Sequence, residues 1–408
     1  MNQKQNEAFM KVVNGESIFL TGPAGTGKSF TLQQIIKWAR HSKKEIGITA
    51  STGLAAYLIK GRTIHSFLGI GLGKKSAEAL AEYVKKKSKK TYNKLINMNI
   101  LLLDEISMIE DELLDKISEF LSIIRGDNKP FGGVQVVLSG DFCQLPPVSG
   151  KYCFLSDIWK KADIQTIVLE ELIRQDKDTK FQDILQELRW GICSKDTLKL
   201  LKSLKNKEFN NGVMPTKLYS VNVDVDKINK KEFDELVEKG AMVKNYKTKY
   251  SSHPSAESWA QSLKIPDHVE LCIGAQVLVT WNLQNESSIV NGTRGIITDF
   301  CLEGPKVKLI DGREIIVEYM KLSCEDNEKI TVTFIPLKLA YAISIHKSQG
   351  MTLDAMEIDL GTSIFEYGQA YTALSRAKPL DNIKIISVKS KSFMTHSKVK
   401  DFYRVKIT

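Results

Sequence analysis

The chain reads as an α/β protein in two halves, with a small antiparallel barrel set into the second. Three observations lead there. In the first half, short and nearly continuous apolar runs alternate with amphipathic stretches, the pattern of a parallel sheet covered on both faces. The same alternation begins again at "KLYSV" (217–221). Between about residues 270 and 335 the texture changes to short strand-like runs with no helical period between them.

Taken in order, "SIFLT" (17–21) is the first strand and ends on a Gly-rich turn, after which 28–40 has helical spacing. "IGIT" (46–49) is the second strand. "NILLLDE" (99–105) is the next, followed by a helix that puts Leu113, Ile117, Phe120, Leu121 and Ile124 on one face. "VQVVLS" (134–139) and "QTIVLE" (165–170) continue the series. In the second half, "AYAISIHKSQG" (340–350) and "IKIIS" (383–387) resume it. The barrel runs are "AQVLVT", "RGIITDF", "KVKLI", "REIIVEY" and "ITVTF", with Asp311-Gly312 as a hairpin turn between two of them. The polar stretch 247–262 reads as a loop.

A chain of 408 residues has room for two or more domains with their own cores. No apolar run approaches the length of a membrane span, and "MNQKQNEAF" has no signal-peptide core. Cysteines at 143, 153, 193, 272, 301 and 324 form no C-x-x-C pair, against both a zinc site and a secreted disulfide framework. The net charge of +10 is concentrated in "KKKSKK" (85–90) and in the tail from 377 onward. Such runs are ordinarily a solvated surface; the sharper alternative is attraction to a polyanion.

"GPAGTGKS" (22–29) fits G-x-x-x-x-G-K-S and lies where that motif must, between a strand and a helix. Its glycines let backbone N–H groups turn around phosphates, and the helix N-terminus adds its dipole. Lys28 would reach the β- and γ-phosphates and Ser29 would ligate Mg²⁺. Asp104, at the end of a buried strand, can hold the Mg²⁺ shell, and Glu105 beside it can orient or deprotonate a water. A nucleotide kinase needs no such base. It would also leave the whole second α/β half without a role. His65 and His346 have no H-x-x-x-H partner, so metal ligation is not expected of them.

Together "TGPAGTGKS", "DEISMI", "PFGGVQVVLSGDFCQLPPV", "AYAISIHKSQGMTLD" and "QAYTALSRA" resemble the Pif type of the superfamily-one helicases that move 5′ to 3′, relatives of the RecD and Dda helicases. The resemblance runs over about residues 2–383. It implies two RecA-like P-loop domains with ATP between them and a single DNA strand across both. The first would cover 1–61 and 92–175 and the second 176–269 and 336–408. A small wedge would occupy 62–91, and an SH3-like barrel 270–335.

The resemblance also implies roles. Gln5 would read adenine. Gly22, Ala24, Gly25, Thr26, Gly27, Lys28, Ser29 and Gly350 would bind nucleotide, with Ser29 and Asp104 at the metal. Gln144 falls on a γ-phosphate-sensing glutamine, and Arg174 and Arg376 on arginine fingers. Thr49, Ser51, Thr63, His65, Asn222, His346, Lys347 and Thr352 lie in segments that line the nucleic-acid groove. The implied activity is ATP-dependent unwinding of DNA. The implied partners are single-stranded DNA and duplex junctions, with RNA–DNA hybrids and G-quadruplexes left open, no membrane, and a monomeric motor. The setting expected is intracellular, in a bacterium or archaeon or encoded by a virus.

Overall fold

The computed structural model describes residues 1–407 except 72, 74, 172–178, 208–214, 221–222, 282, 284–288, 290–292, 310–311, 325–326, 354 and 378. The chain divides into two compact units, Met1–Gly191 with Thr395–Thr408, and Ile192–Met394.

The first unit is built on a parallel six-stranded sheet. Its strands are β1 (Ser17–Thr21), β2 (Ile46–Ala50), β3 (Arg62–Thr63), β4 (Ile100–Asp104), β5 (Gln135–Gly140) and β6 (Ile164–Val168), in the order β3-β2-β4-β5-β1-β6. Side chains alternate across each strand, so neighbours in β1 serve opposite faces. Ile18 and Leu20 join Ala8, Val12, Leu32 and Ile35 in a core beneath helices Gln3–Val13 and Lys28–His41. Phe19 instead meets an aromatic layer: its ring centroid lies 4.9 Å from Phe142 and 5.3 Å from Trp159. Phe154 stacks on Phe402 at 4.6 Å, so the C-terminal helix Ser397–Ile407 completes this second face.

That helix corrects the expected boundaries. Residues 395–408 group with the first unit and not with the second half. So does helix Thr179–Arg189. The reason is chemical: Arg189, 1% exposed, forms an ion pair with the fully buried Asp141, and Tyr403 closes the same cluster. Residues 62–91, expected as a wedge, begin with the edge strand β3 and continue in helix Ala77–Lys87, which packs against helix Asp111–Arg125.

The second unit has its own parallel sheet, in the order Ala342–Ser344, Thr216–Tyr219, Met356–Leu360, Ile383–Val388. The antiparallel part is larger than expected. A five-stranded sheet runs Glu314–Ile316, Pro305–Leu309, Arg294–Phe300, Gln276–Val279, Leu337–Leu339, so it extends past 335. Val243–Lys247 pairs with His268–Cys272, and Lys249–Tyr250 joins a three-stranded sheet. The stretch 247–262 is therefore not a loop: it holds this strand and helix Ala256–Ser262, whose Ala256 and Trp259 pack on Cys324 and Ile330. Gly312 takes φ +86° at the expected hairpin, while Asp311 lies outside the described residues.

Breaking a buried ion pair by removing one partner strands a charge, at a cost of about 3–5 kcal/mol. Arg189→Met should therefore lower unfolding free energy by about that much, read from denaturant midpoints. The double variant with Asp141→Leu should recover most of the loss.

Candidate functional site

The signature segments of the first half converge because their strands are neighbours. β4, β5 and β1 lie side by side and run parallel, with Leu103 opposite Leu138 and Thr21 opposite Gly140. Each strand ends at the same edge, so the turns after Thr21, Asp104 and Gly140 emerge about 5 Å apart from strand to strand. β2 continues the row, with Ala50 opposite Asp104. Ligands of open α/β sheets gather at this carboxyl edge.

The phosphate loop is shaped by positive φ at Gly22 (+144°), Gly25 (+92°) and Gly27 (+83°). A Cβ at Gly22 would sit 2.2 Å from the Leu169 carbonyl oxygen, so no larger residue fits without moving the loop. Lys28 Nζ donates to the carbonyls of Gly22 (2.8 Å) and Pro23 (2.9 Å), and Thr26 Oγ1 donates to Pro23 O. Burial lowers the Lys28 ammonium below the ordinary lysine range, against the pull of Asp141 and then Glu105. Ser29 is exposed and Ala24 buried. Gln5, 1% exposed, caps its own helix and donates to Thr26 O at 3.2 Å, which ties the N-terminal helix to the loop.

Asp104 is 8% exposed, and its Oδ1 accepts the Glu105 amide at 2.9 Å. Burial and then the charge of Glu105 push its carboxyl up to about 7. Glu105 sits at φ 53°, ψ 45°, a left-handed conformation uncommon for a non-glycine residue and frequent at functional turns. Ser51 holds this turn, its hydroxyl donating to Glu105 O (2.9 Å) and its amide to Asp104 O (3.1 Å). Thr49, expected in a segment that lines the DNA groove, is fully buried with its hydroxyl donated to Leu102 O. Thr63 caps the short helix Ile64–Leu68, accepting from Ser66 N.

Gln144 is held from both ends. Its amide donates to Asp141 O at 3.0 Å, and its side chain is 5% exposed. Beyond Pro146 and Pro147, Ser149 Oγ donates to Glu110, and Lys151 N donates to Asp111 Oδ1. Proline removes the intervening donors, so the segment cannot join a ladder. Among the described residues, nothing pairs with Gln144 Oε1. A buried acceptor left in this way fits a ligand-borne donor.

Asp141 is the residue that sequence reasoning passed over. Its carboxylate accepts from Arg189 Nε (3.0 Å) and Nη2 (2.9 Å), from the Cys143 amide (3.1 Å) and from Tyr403 (3.3 Å). Burial alone would raise this carboxyl, but the Arg189 guanidinium outweighs it and holds it below the usual carboxylate range. Only the place of Asp141, just ahead of Gln144, offered a signal; Arg189 and Tyr403 are too distant in sequence to carry one.

In the second unit Arg376, 4% exposed, donates to Thr372 O (3.0 Å) and Ser375 Oγ (2.7 Å). Gly350 has φ +80°. Ser344 caps the short helix Ile345–Ser348, on which Lys347 is exposed and His346 half-buried; Thr352 is half-buried just beyond. Burial lowers the imidazoles of both His65 and His346 below the ordinary histidine range. Arg174 and Asn222 lie outside the described residues.

Ser29 and Asp104 offer a hydroxyl and one carboxylate, a set that suits Mg²⁺ sharing its shell with phosphates and water better than a dedicated protein cage. No group of three or more His, Cys, Asp or Glu is placed to hold a metal among the described residues. None of the described helices is long and apolar enough to cross a membrane.

Residues 1–199 match the family model described as PIF1-like helicase. Over 415 residues the chain is 35% identical to the ATP-dependent DNA helicase PIF1 of Xenopus laevis, covering 99% of this chain and 64% of that protein. The chain thus spans about two thirds or less of the curated relative's length. The Pif1 helicase from Candida albicans superposes with a TM-score of 0.80 at 34% identity, covering 99% of each chain. The Bacteroides Pif1 helicase in complex with ADP-AlF3 and ssDNA has a TM-score of 0.68 at 28% identity, covering 99% of this chain and 96% of its own.

Asp104 gives a pH test. A carboxyl raised in the folded state contributes stability that is complete below its ordinary pKa of about 4 and is lost as pH rises through about 7. Asp104→Asn should therefore raise the Tm at pH 8 by a few degrees, by less at pH 5 and least near pH 4, measured without nucleotide or divalent metal.

Proposed function

Because the chain belongs to the PIF1-like helicase family, with a relative 34% identical over its whole length, we propose that it is an ATP-dependent DNA helicase that moves 5′ to 3′ on single-stranded DNA and opens duplexes. The observation that carries the reading is the row of turns after β1, β5 and β4, which brings the phosphate loop, the Gln144 turn and the Asp104-Glu105 pair to one edge of one sheet. A kinase would leave Glu105 and the second α/β half without a role.

In this reading Gly22, Ala24, Gly25, Thr26 and Gly27 wrap the phosphates with backbone amides, and Gln5 and Gly350 contribute to nucleotide binding. Lys28 exchanges the carbonyls of Gly22 and Pro23 for phosphate oxygens. Ser29 and Asp104 hold Mg²⁺, which when bound neutralises charge on the phosphates. Asp104 must shed its proton to do so, and the nearby Lys28 ammonium favours that. Glu105, in its left-handed turn, orients and deprotonates the attacking water. Arg174 and Arg376 supply positive charge to the transferring phosphoryl group. Gln144 reports the γ-phosphate without adding charge, since an amide both donates and accepts.

The DNA contacts proposed are Ser51, Thr63 and His65 in the first unit and Asn222, His346, Lys347 and Thr352 in the second. Hydroxyls, amides and one ammonium suit backbone phosphates and carry no base preference. Partners of the RNA–DNA hybrid or G-quadruplex kind and the monomeric state belong to the same proposal.

ATP hydrolysis should rise sharply with single-stranded DNA, and a constant rate at saturating oligonucleotide would refute the reading. Lys28→Ala should lower the stimulated rate by about 100-fold or more while DNA binding persists. Matched duplexes bearing only a 5′ or only a 3′ tail test polarity: unwinding is expected with the 5′ tail alone. Gln144→Ala should leave the KM for ATP nearly unchanged and reduce the duplex opened per ATP hydrolysed.

A further inference from the structure

We propose that Tyr403, on the C-terminal helix, is a positioning residue that sets the Gln144 turn against the phosphate loop. The proposal rests on the helicase reading above and deepens it.

The hydroxyl of Tyr403 is buried completely and stands at a three-way junction. Thr21 Oγ1 is 2.6 Å away, Phe142 N donates to it at 3.2 Å, and it reaches Asp141 Oδ1 at 3.3 Å. A phenol has one proton and two acceptor sites. Asp141, as a carboxylate, can only accept, so the proton points to it, and Thr21 and the Phe142 amide fill the two acceptor sites. Every hydrogen-bonding position of the hydroxyl is used. Burial and then the charge of Asp141 raise the phenol well above the ordinary tyrosine range, so it keeps that proton throughout the working pH range.

The three partners are not equivalent. Thr21 is the last residue of β1, directly before Gly22, whose carbonyl Lys28 holds. Phe142 and Asp141 begin the turn whose next bond, Gln144 N to Asp141 O, fixes the glutamine. One atom therefore joins the start of the phosphate loop to the start of the Gln144 turn. Asp141 also exerts the strongest pull of any carboxylate on Lys28, so the junction bears on the phosphate-binding charge as well.

The ring of Tyr403 is held independently of its hydroxyl. It lies 5.0 Å from the Arg189 guanidinium, 5.6 Å from the Trp190 ring and 5.3 Å from Phe402. Removing the oxygen alone thus keeps the packing and leaves the Phe142 amide and Thr21 hydroxyl to find other partners. The two turns can then shift relative to each other while the fold persists.

The test is Tyr403→Phe in the full chain, with Thr21→Val as a second variant that cuts the same link from its other end. Each should keep the KM for ATP within about twofold and lower the duplex opened per ATP by about fivefold. In a Gln144→Ala background, Tyr403→Phe should cause no further loss, because both changes then act on one element. Wild-type coupling in the variant that folds overturns the proposal. So does a lower Tm with unchanged coupling, or an additive loss in the double variant. A wild-type chain without DNA-stimulated hydrolysis instead refutes the helicase reading itself, and the inference with it.

Discussion

The buried carboxylate of Asp141 is the constraint on which the first unit turns. A charge with no exposure to water is tolerable only if paired and hydrogen-bonded on every side, and Asp141 obtains this from Arg189, the Cys143 amide and Tyr403. Meeting that demand recruits two helices from remote parts of the chain, Thr179–Arg189 and Ser397–Ile407. It also dictates the conformation of the four residues from Asp141 to Gln144. The site inherits its rigidity from this requirement.

The same constraint explains how apolar and polar layers cooperate. Phe142 lies between Asp141 and Cys143 in sequence, yet its ring belongs to the aromatic face with Phe19, Trp159 and Phe402. Dispersion and burial hold the turn from one side, and hydrogen bonds hold it from the other. Gln144 is then presented with little freedom left to lose on meeting a ligand, which is how preorganised groups act without reorganising. The left-handed backbone at Glu105 is maintained in a similar way, by Ser51 just past the neighbouring strand.

Much of the site was legible from residues close together in sequence. The phosphate loop depends on glycines and one lysine within eight positions, and its place between strand and helix follows from local periodicity. Asp104 and Glu105 end an apolar run, so their emergence at a sheet edge could be anticipated. The glutamine before two prolines could be singled out because proline restricts its own neighbourhood. The strands and the parallel pairing followed from the same local patterns. The stretch 247–262 misled because its polar composition resembles a loop, whereas packing of Ala256 and Trp259 with Cys324 and Ile330 seats a short helix there.

The sequence by itself determined what depends on neighbours in the chain: the alternation of strand and helix, the anion-binding turn and the paired carboxylates. Tertiary structure alone decided which strands lie adjacent, and hence that three separate turns share one edge. It also decided that Thr49 is spent inside the sheet while Ser51, two residues on, braces the carboxylate turn. Above all it decided the partners of Asp141, because desolvating a charge sets a demand that any distant residue of the right chemistry can meet. Nothing in local sequence says that it will be Arg189 and Tyr403.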